Sequence, residues 1–119
     1  MATGQGDDLT SKAIEVNGVK LLVTEVSDVG TQDLRVLVDK LKDKLVSAVV
    51  VLAIVSGKKV SLVVGVTKNL TDKYQAGKIL NHITTQIGGK GGGRAEMAQG
   101  GGTEPEKLTK ALDSVKDLI

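Results

Sequence analysis

Seven consecutive apolar residues, Val49-Val50-Val51-Leu52-Ala53-Ile54-Val55, constrain this chain more than any other feature. Most are β-branched, and such side chains fit an extended, pleated backbone better than a helix. Side chains alternate along a strand, so a strand that is apolar at every position has to be covered on both faces. The covering layers have to come from the rest of the chain. At 119 residues there is enough of it for one domain with a core that needs no crosslinks. That core is aliphatic, because Phe and Trp are absent and Tyr74 is the one aromatic residue. With no Cys, disulfides and thiolate metal sites are excluded.

The flanking segments supply the layers. Ser56-Gly57-Lys58-Lys59 reads as a turn, and Val60 to Val66 returns beside the apolar strand as a hairpin. An earlier hairpin is expected at Ala13 to Val26, with Asn17-Gly18 as the turn, since a two-residue type I′ turn needs φ > 0 twice. Between the hairpins, Leu34, Leu37, Val38, Leu41 and Leu45 form one face of a helix, with Thr31 as its N-cap. A second helix is expected from about Thr71, with Ala76, Ile79, Leu80, Ile83 and Ile87 buried and Gly88 ending it in the left-handed region. Thr103-Glu104-Pro105-Glu106 has the form of a capping box ahead of a third helix with Leu108, Ala111, Leu112 and Val115 inside. The expected fold class is α+β: a mostly antiparallel sheet from two hairpins, covered by helices, in the order ββ-α-ββ-α-Gly-rich loop-α. Residues 1–11 read as a polar leader and 12–119 as the globular domain.

Charge is unevenly placed. The formal net charge is +2, but Gly57 to Arg94 alone carries +6, and each flank is −2. A positive middle segment suits a polyanionic partner as well as it suits a plain solvated surface. No apolar run approaches the roughly 20 residues that a bilayer crossing takes, so no membrane partner is expected.

Eight of the fifteen glycines fall between Gly88 and Gly102, in the run Gly88-Gly89-Lys90-Gly91-Gly92-Gly93-Arg94-Ala95-Glu96-Met97-Ala98-Gln99-Gly100-Gly101-Gly102. Glycine loses the most backbone entropy on folding, so this concentration needs a reason. One reason is an anion-binding nest, in which the amides of Gly91, Gly92 and Gly93 face a phosphate between Lys90 and Arg94. Another is a structural crossing, where backbone packs on backbone. The residues leave both open. Lys58, Lys59 and Lys78 are candidate supporting cations. Known nucleotide motifs do not fit: Gly57-Lys58, Gly77-Lys78 and Gly89-Lys90 are not followed by Ser or Thr, and no G-x-G-x-x-G occurs.

Catalytic constellations are missing. His82 is the lone His and has no metal-ligand partners by spacing, so a structural role is favoured. Asp7-Asp8 and Asp39/Asp43 sit in a polar leader and on a wet helix face. A single Tyr makes no stacking platform for bases, so nucleic-acid binding would act through backbone and shape.

Val60-Ser61-Leu62-Val63-Val64-Gly65-Val66-Thr67-Lys68-Asn69-Leu70-Thr71, the glycine run through Arg94 and the block Met97-Ala98-Gln99-Gly100-Gly101-Gly102 together resemble the C-terminal, DHH-associated domain of bacterial alanyl-tRNA synthetases. The opening hairpin around Asn17-Gly18 shares the likeness. The resemblance implies a tRNA-binding accessory domain that holds the outer corner of tRNA and so supports aminoacylation and editing. It implies tRNA and the rest of a synthetase chain as partners, and a cytoplasmic setting. It implies no cofactor in these residues, while the parent ligase would use ATP, magnesium and zinc. In phosphoesterase relatives the glycine loop contacts substrate, sometimes with a His near it; here the matching run ends in Arg94. Two other roles compete: the substrate-binding domain of a DHH-type phosphoesterase, whose Asp-His-His metal motif is absent from this chain, and a protein-interaction or dimerisation module.

Overall fold

The computed structural model describes residues 13–16, 18–25, 31–45 and 47–118. They form a six-stranded sheet of β1 (Ile14–Val16), β2 (Val19–Glu25), β3 (Ala48–Ser56), β4 (Lys59–Val66), β5 (Lys90–Gly93) and β6 (Met97–Gly102). The helices are α1 (Thr31–Leu45), α2 (Ala76–Gln86) and the short α3 (Leu108–Asp113), which is extended at both ends by 3-10 turns. The strand order is β1-β2-β3-β4-β6-β5. Residues 1–11, Asn17 and Val26 lie outside the described residues.

The apolar run is the core of the sheet, as its composition requires. Val49 to Ala53 are fully buried. Alternation divides them between two clusters. Val49, Val51 and Ala53 face α2 and α3, joined by Leu62, Val64, Ile79, Leu80, Ile83, Leu108 and Ala111. Val50 and Leu52 face α1, joined by Leu22, Leu34, Val38, Leu41 and Val63. The expected α+β class with helices over both faces is what forms, and every pairing in the sheet but one is antiparallel.

The exception is β2 with β3, which run parallel from Lys20↔Ala48 to Glu25↔Ala53. The crossover through α1 permits this, since a helix carries the chain back to the starting end of the sheet. Three local boundaries also differ from expectation. α1 begins at Thr31 itself rather than one residue after it. α2 begins at Ala76 rather than near Thr71; Lys68–Leu70 is a separate 3-10 turn, and Gln75 is extended. The start of α2 is fixed from outside, because the Ala76 N–H donates to Ala95 O at 2.9 Å. The capping box at Thr103 is not made. Its hydroxyl lies 3.5 Å from Gly88 O, and the N–H groups of Thr103 and Glu104 both donate to Ile87 O at 3.0 Å. The unpaired carbonyl at the end of α2 captures this segment before it can cap α3.

Candidate nucleic-acid interface

Residues 88–102 fold as a strand pair, which corrects the expected Gly-rich loop. Gly88 ends α2 with φ of +67°, as the sequence called for. The chain then runs out along β5, turns through residues 94–96 and returns as β6. β5 is the last strand of the sheet, paired as Lys90↔Gly101, Gly91↔Gly100, Gly92↔Gln99 and Gly93↔Ala98. Gly91, Gly92 and Gly93 have no positive φ. In an extended strand successive N–H groups point to opposite sides, so these three amides do not converge on one anion. The pairing with β6 takes up the backbone polar groups that point inward and holds the run extended instead of curled into a nest.

The glycines are not equivalent. A Cβ on Gly91 would stand 2.7 Å from Leu80 Cδ2 on α2 and 2.7 Å from Gly100 Cα. A Cβ on Gly93 would stand 2.8 Å from the Ala98 Cβ. These two lie under α2, and their missing side chains let helix and strands approach closely. Gly92 is different: a Cβ there would meet nothing within 4 Å. Packing inside the domain gives no reason for glycine at 92.

The cations do not form one group. Lys90 and Arg94 bracket β5 and are about 13 Å apart, four residues of extended chain. The pairing places Lys90 beside Gly101 and Ser61, near the β3–β4 turn that carries Lys58 and Lys59. Arg94 sits at the other end, where its N–H donates to Met97 O at 2.7 Å. Lys78, in the first turn of α2, lines a surface pocket with Asn81, His82, Thr85, Gln86 and Ser114 instead. The structure therefore gathers Lys58, Lys59 and Lys90 at one end of the sheet, leaves Arg94 at the other, and sets Lys78 beside His82 and Ser114.

Alternation also separates faces. Gly91 and Gly93 look toward α2, while Lys90 and Gly92 look toward the α1 side. α1 packs over β3 and β4. Beyond it the same face continues across Lys59, Ser61, Gln99, Gly101, Lys90 and Gly92. Lys59, Gln99, Lys90 and Gly92 are exposed, and Ser61 and Gly101 are half-buried. These six positions form a shelf of small and polar residues with two lysines, and Asp39, Asp43 and Glu96 line a pocket on the same α1 side. Sequence reasoning missed Ser61 and Gln99. Their signal lies in strand register, which only the pairing supplies.

His82 is turned away from the shelf. Its Nε2 lies 2.9 Å from Ser114 Oγ, and Gln86 Nε2 donates to that oxygen at 3.0 Å. The Ser114 hydroxyl donates its proton to Ala111 O at 2.6 Å, so the imidazole nitrogen has to be the donor. His82 thus ties α2 to the turn after α3. Tyr74 is half-buried and packs against the core. No group of three or more His, Cys, Asp or Glu residues is placed to hold a metal among the described residues, and no helix there is long and apolar enough to cross a membrane.

With this geometry in place, comparison with known proteins is decisive. Residues 18–119 match the DHHA1 domain model. The chain belongs to the DHHA1 domain family. Over all 119 residues it is 66% identical to an alanine–tRNA ligase of Vesicomyosocius okutanii subsp. Calyptogena okutanii and 52% identical to that of Hydrogenovibrio crunogenus. It spans 14% of the length of each of these relatives. Among solved structures, the C-Ala domain of Aquifex aeolicus alanyl-tRNA synthetase superposes with a TM-score of 0.85 at 34% identity, covering 90% of this chain and 96% of that one. The resemblance carried by the glycine run and the Met97–Gly102 block is thereby established: this DHHA1 domain corresponds to the C-terminal region of alanyl-tRNA synthetases. A DHH-domain protein described as a member of the s1p family of ribosomal proteins matches at 11% identity and a TM-score of 0.58, over 92% of this chain and 30% of that one, and shares the fold alone.

Proposed function

We propose that this DHHA1 domain is the tRNA-binding accessory domain of an alanine–tRNA ligase and has no catalytic centre of its own. In the parent enzyme it holds the outer corner of tRNA, so that aminoacylation and editing act on one bound molecule. Its partners are then tRNA and the rest of the ligase chain, in the cytoplasm. ATP, magnesium and zinc belong to the other modules of that parent, and this domain needs none of them.

The observation that carries this reading is Gly92. It is open and unstrained, and it sits on the same side of β5 as exposed Lys90. A bare backbone next to a cation accommodates a sugar-phosphate chain at close range. Lys58 and Lys59 support that contact from the neighbouring turn. Arg94 provides a second cationic point at the far end of β5. Gly91 and Gly93 hold the platform in shape.

A salt titration of binding to tRNA, set against an RNA hairpin of equal charge, tests the proposal. Affinity is expected to fall linearly in log–log form, with each phosphate contact contributing a slope of about −0.9 on duplex RNA, taking the duplex DNA value. Replacing Lys90 and Arg94 together by Ala is expected to weaken binding to different tRNAs alike and flatten the slope by about 2. An unchanged affinity and slope in that double variant would move the RNA contact away from β5.

A further inference from the structure

Resting on the reading of Arg94 as an RNA contact, we infer that Lys42 of α1 is a positioning residue for it, holding the turn at residues 94–96 against the body of the domain. That turn is fastened on several sides. The Arg94 N–H donates to Met97 O at 2.7 Å inside the hairpin. Ala95 O accepts from the Ala76 N–H at 2.9 Å, where α2 begins. Glu96 O accepts from the Val66 N–H at 2.9 Å, at the end of β4, and from Lys42 Nζ at 3.4 Å. A carbonyl oxygen has two lone pairs, and these two donors take both. The first three bonds are made by backbone, so they form with any side chains that permit this fold. The fourth depends on one side chain, which reaches the turn from 54 residues away and ties it to α1.

The path of that side chain is built into the sheet. Gly65 of β4 pairs with Met97, directly beside the turn. A Cβ on Gly65 would stand 2.8 Å from Lys42 Cδ and would collide with Val38 Cγ1. Glycine inside a strand weakens it, and here the missing side chain leaves room for the Lys42 stem to lie on bare backbone. A surface lysine ordinarily keeps its ammonium in water and its rotamers free. Lys40 and Lys44 of the same helix are exposed, whereas Lys42 is half-buried. Asp39, Asp43 and Glu96 line the cleft with Lys42, so its ammonium sits among carboxylates, a poor place for a phosphate. Lys42 therefore acts on RNA through Arg94 and not by contact. Arg94 is exposed, so its backbone is held while its side chain stays accessible. A cation held in place loses less freedom on meeting its ligand.

Two measurements on the 119-residue chain test this. The first needs no RNA: NMR order parameters of residues 94–96 in the parent, Lys42→Met and Lys42→Arg. Lys42→Met keeps an unbranched stem and removes the donor, so order parameters at the turn are expected to fall while β4 and β6 stay rigid. Lys42→Arg, which restores a donor, is expected to recover them. The second is a double-mutant cycle on tRNA affinity. Lys42→Met is expected to weaken binding about threefold, within the worth of one hydrogen bond. It should cost nothing further once Arg94 is replaced by Ala. It should cost the same factor once Lys90, about 13 Å from Arg94, is replaced by Ala. Order parameters untouched by Lys42→Met, or an equal loss of affinity with and without Arg94, would overturn the inference while leaving tRNA binding in place. A parent chain that does not bind tRNA would instead sink the functional reading, and the first measurement would still decide whether Lys42 holds the turn.

Discussion

Adjacent glycines on one strand should respond to the same substitution in opposite directions. Gly91→Ala places a methyl group 2.7 Å from both Leu80 Cδ2 and Gly100 Cα, and 2.9 Å from Gln99 O. Leu80 is fully buried and Gly100 is backbone, so neither yields freely. Overpacking of this kind costs about 1–3 kcal/mol. Gly92→Ala meets nothing within 4 Å and needs no positive φ. There the dominant effect is the reduced entropy of the unfolded chain, which stabilises by about 0.4–1 kcal/mol. A chain of 119 residues has an unfolding entropy of roughly 0.25 kcal/mol per kelvin, so 1 kcal/mol moves Tm by about 4 °C. Gly91→Ala should lower Tm by about 8 °C, and Gly92→Ala should raise it by about 2 °C. Differential scanning calorimetry of the two variants beside the parent reads this directly. Gly92→Val should fold normally and weaken tRNA binding, because the branched side chain stands where a ligand backbone would approach. Equal destabilisation at 91 and 92 would refute the division of the glycine run into packed and open positions.

Thr67→Val should destabilise by about 1–3 kcal/mol in urea unfolding, because the buried Ala48 N–H loses its acceptor, the Thr67 Oγ1 at 3.1 Å, while Thr67→Ser should keep most of the stability. Gly88→Ala should cost about 1–3 kcal/mol by the same measure, since φ is +67° and a Cβ there collides with the Glu104 carboxylate. Lys107 donates to Glu104 Oε1 at 2.8 Å, and this hydrogen bond, then the Glu104 charge, raises its pKa above 10.5. The folded value exceeds the unfolded one, so any stabilisation is fully present below the unfolded pKa and is lost as pH rises through the raised value. Lys107→Gln should therefore match the parent in Tm to within error at neutral pH, where an exposed pair of this kind counts for little, and a clear neutral-pH loss would contradict that.

Much of the layering was written in the sequence. The all-apolar run of β3 called for two covering layers, and both formed over Val49 to Ala53, while Ile54 is half-buried and Val55 exposed beyond their reach. The stripes of Leu34, Val38 and Leu41, of Ile79, Leu80 and Ile83, and of Leu108, Ala111 and Val115 point inward as their 3.6-residue spacing required. The turn at Gly57 carries φ of +62°, and Ser56↔Lys59 closes the hairpin where the turn residues placed it. These features follow from local periodicity and backbone sterics. Strand order does not. Periodicity tells which way a side chain faces and not which strand lies beside it, so the parallel step from β2 to β3 emerged only in three dimensions. The glycine run was least legible for a related reason. Residues without side chains have no alternation to read, so neither their strand character nor their two faces left a pattern. Pairing with β6 decided that Gly91 lies under Leu80 and that Gly92 stays open. It also decided that Lys90 keeps company with Lys59, Ser61 and Gln99 while Arg94 stands about 13 Å away at the other end of β5. Those neighbours are distant in sequence, and only the packed sheet brings them onto one surface.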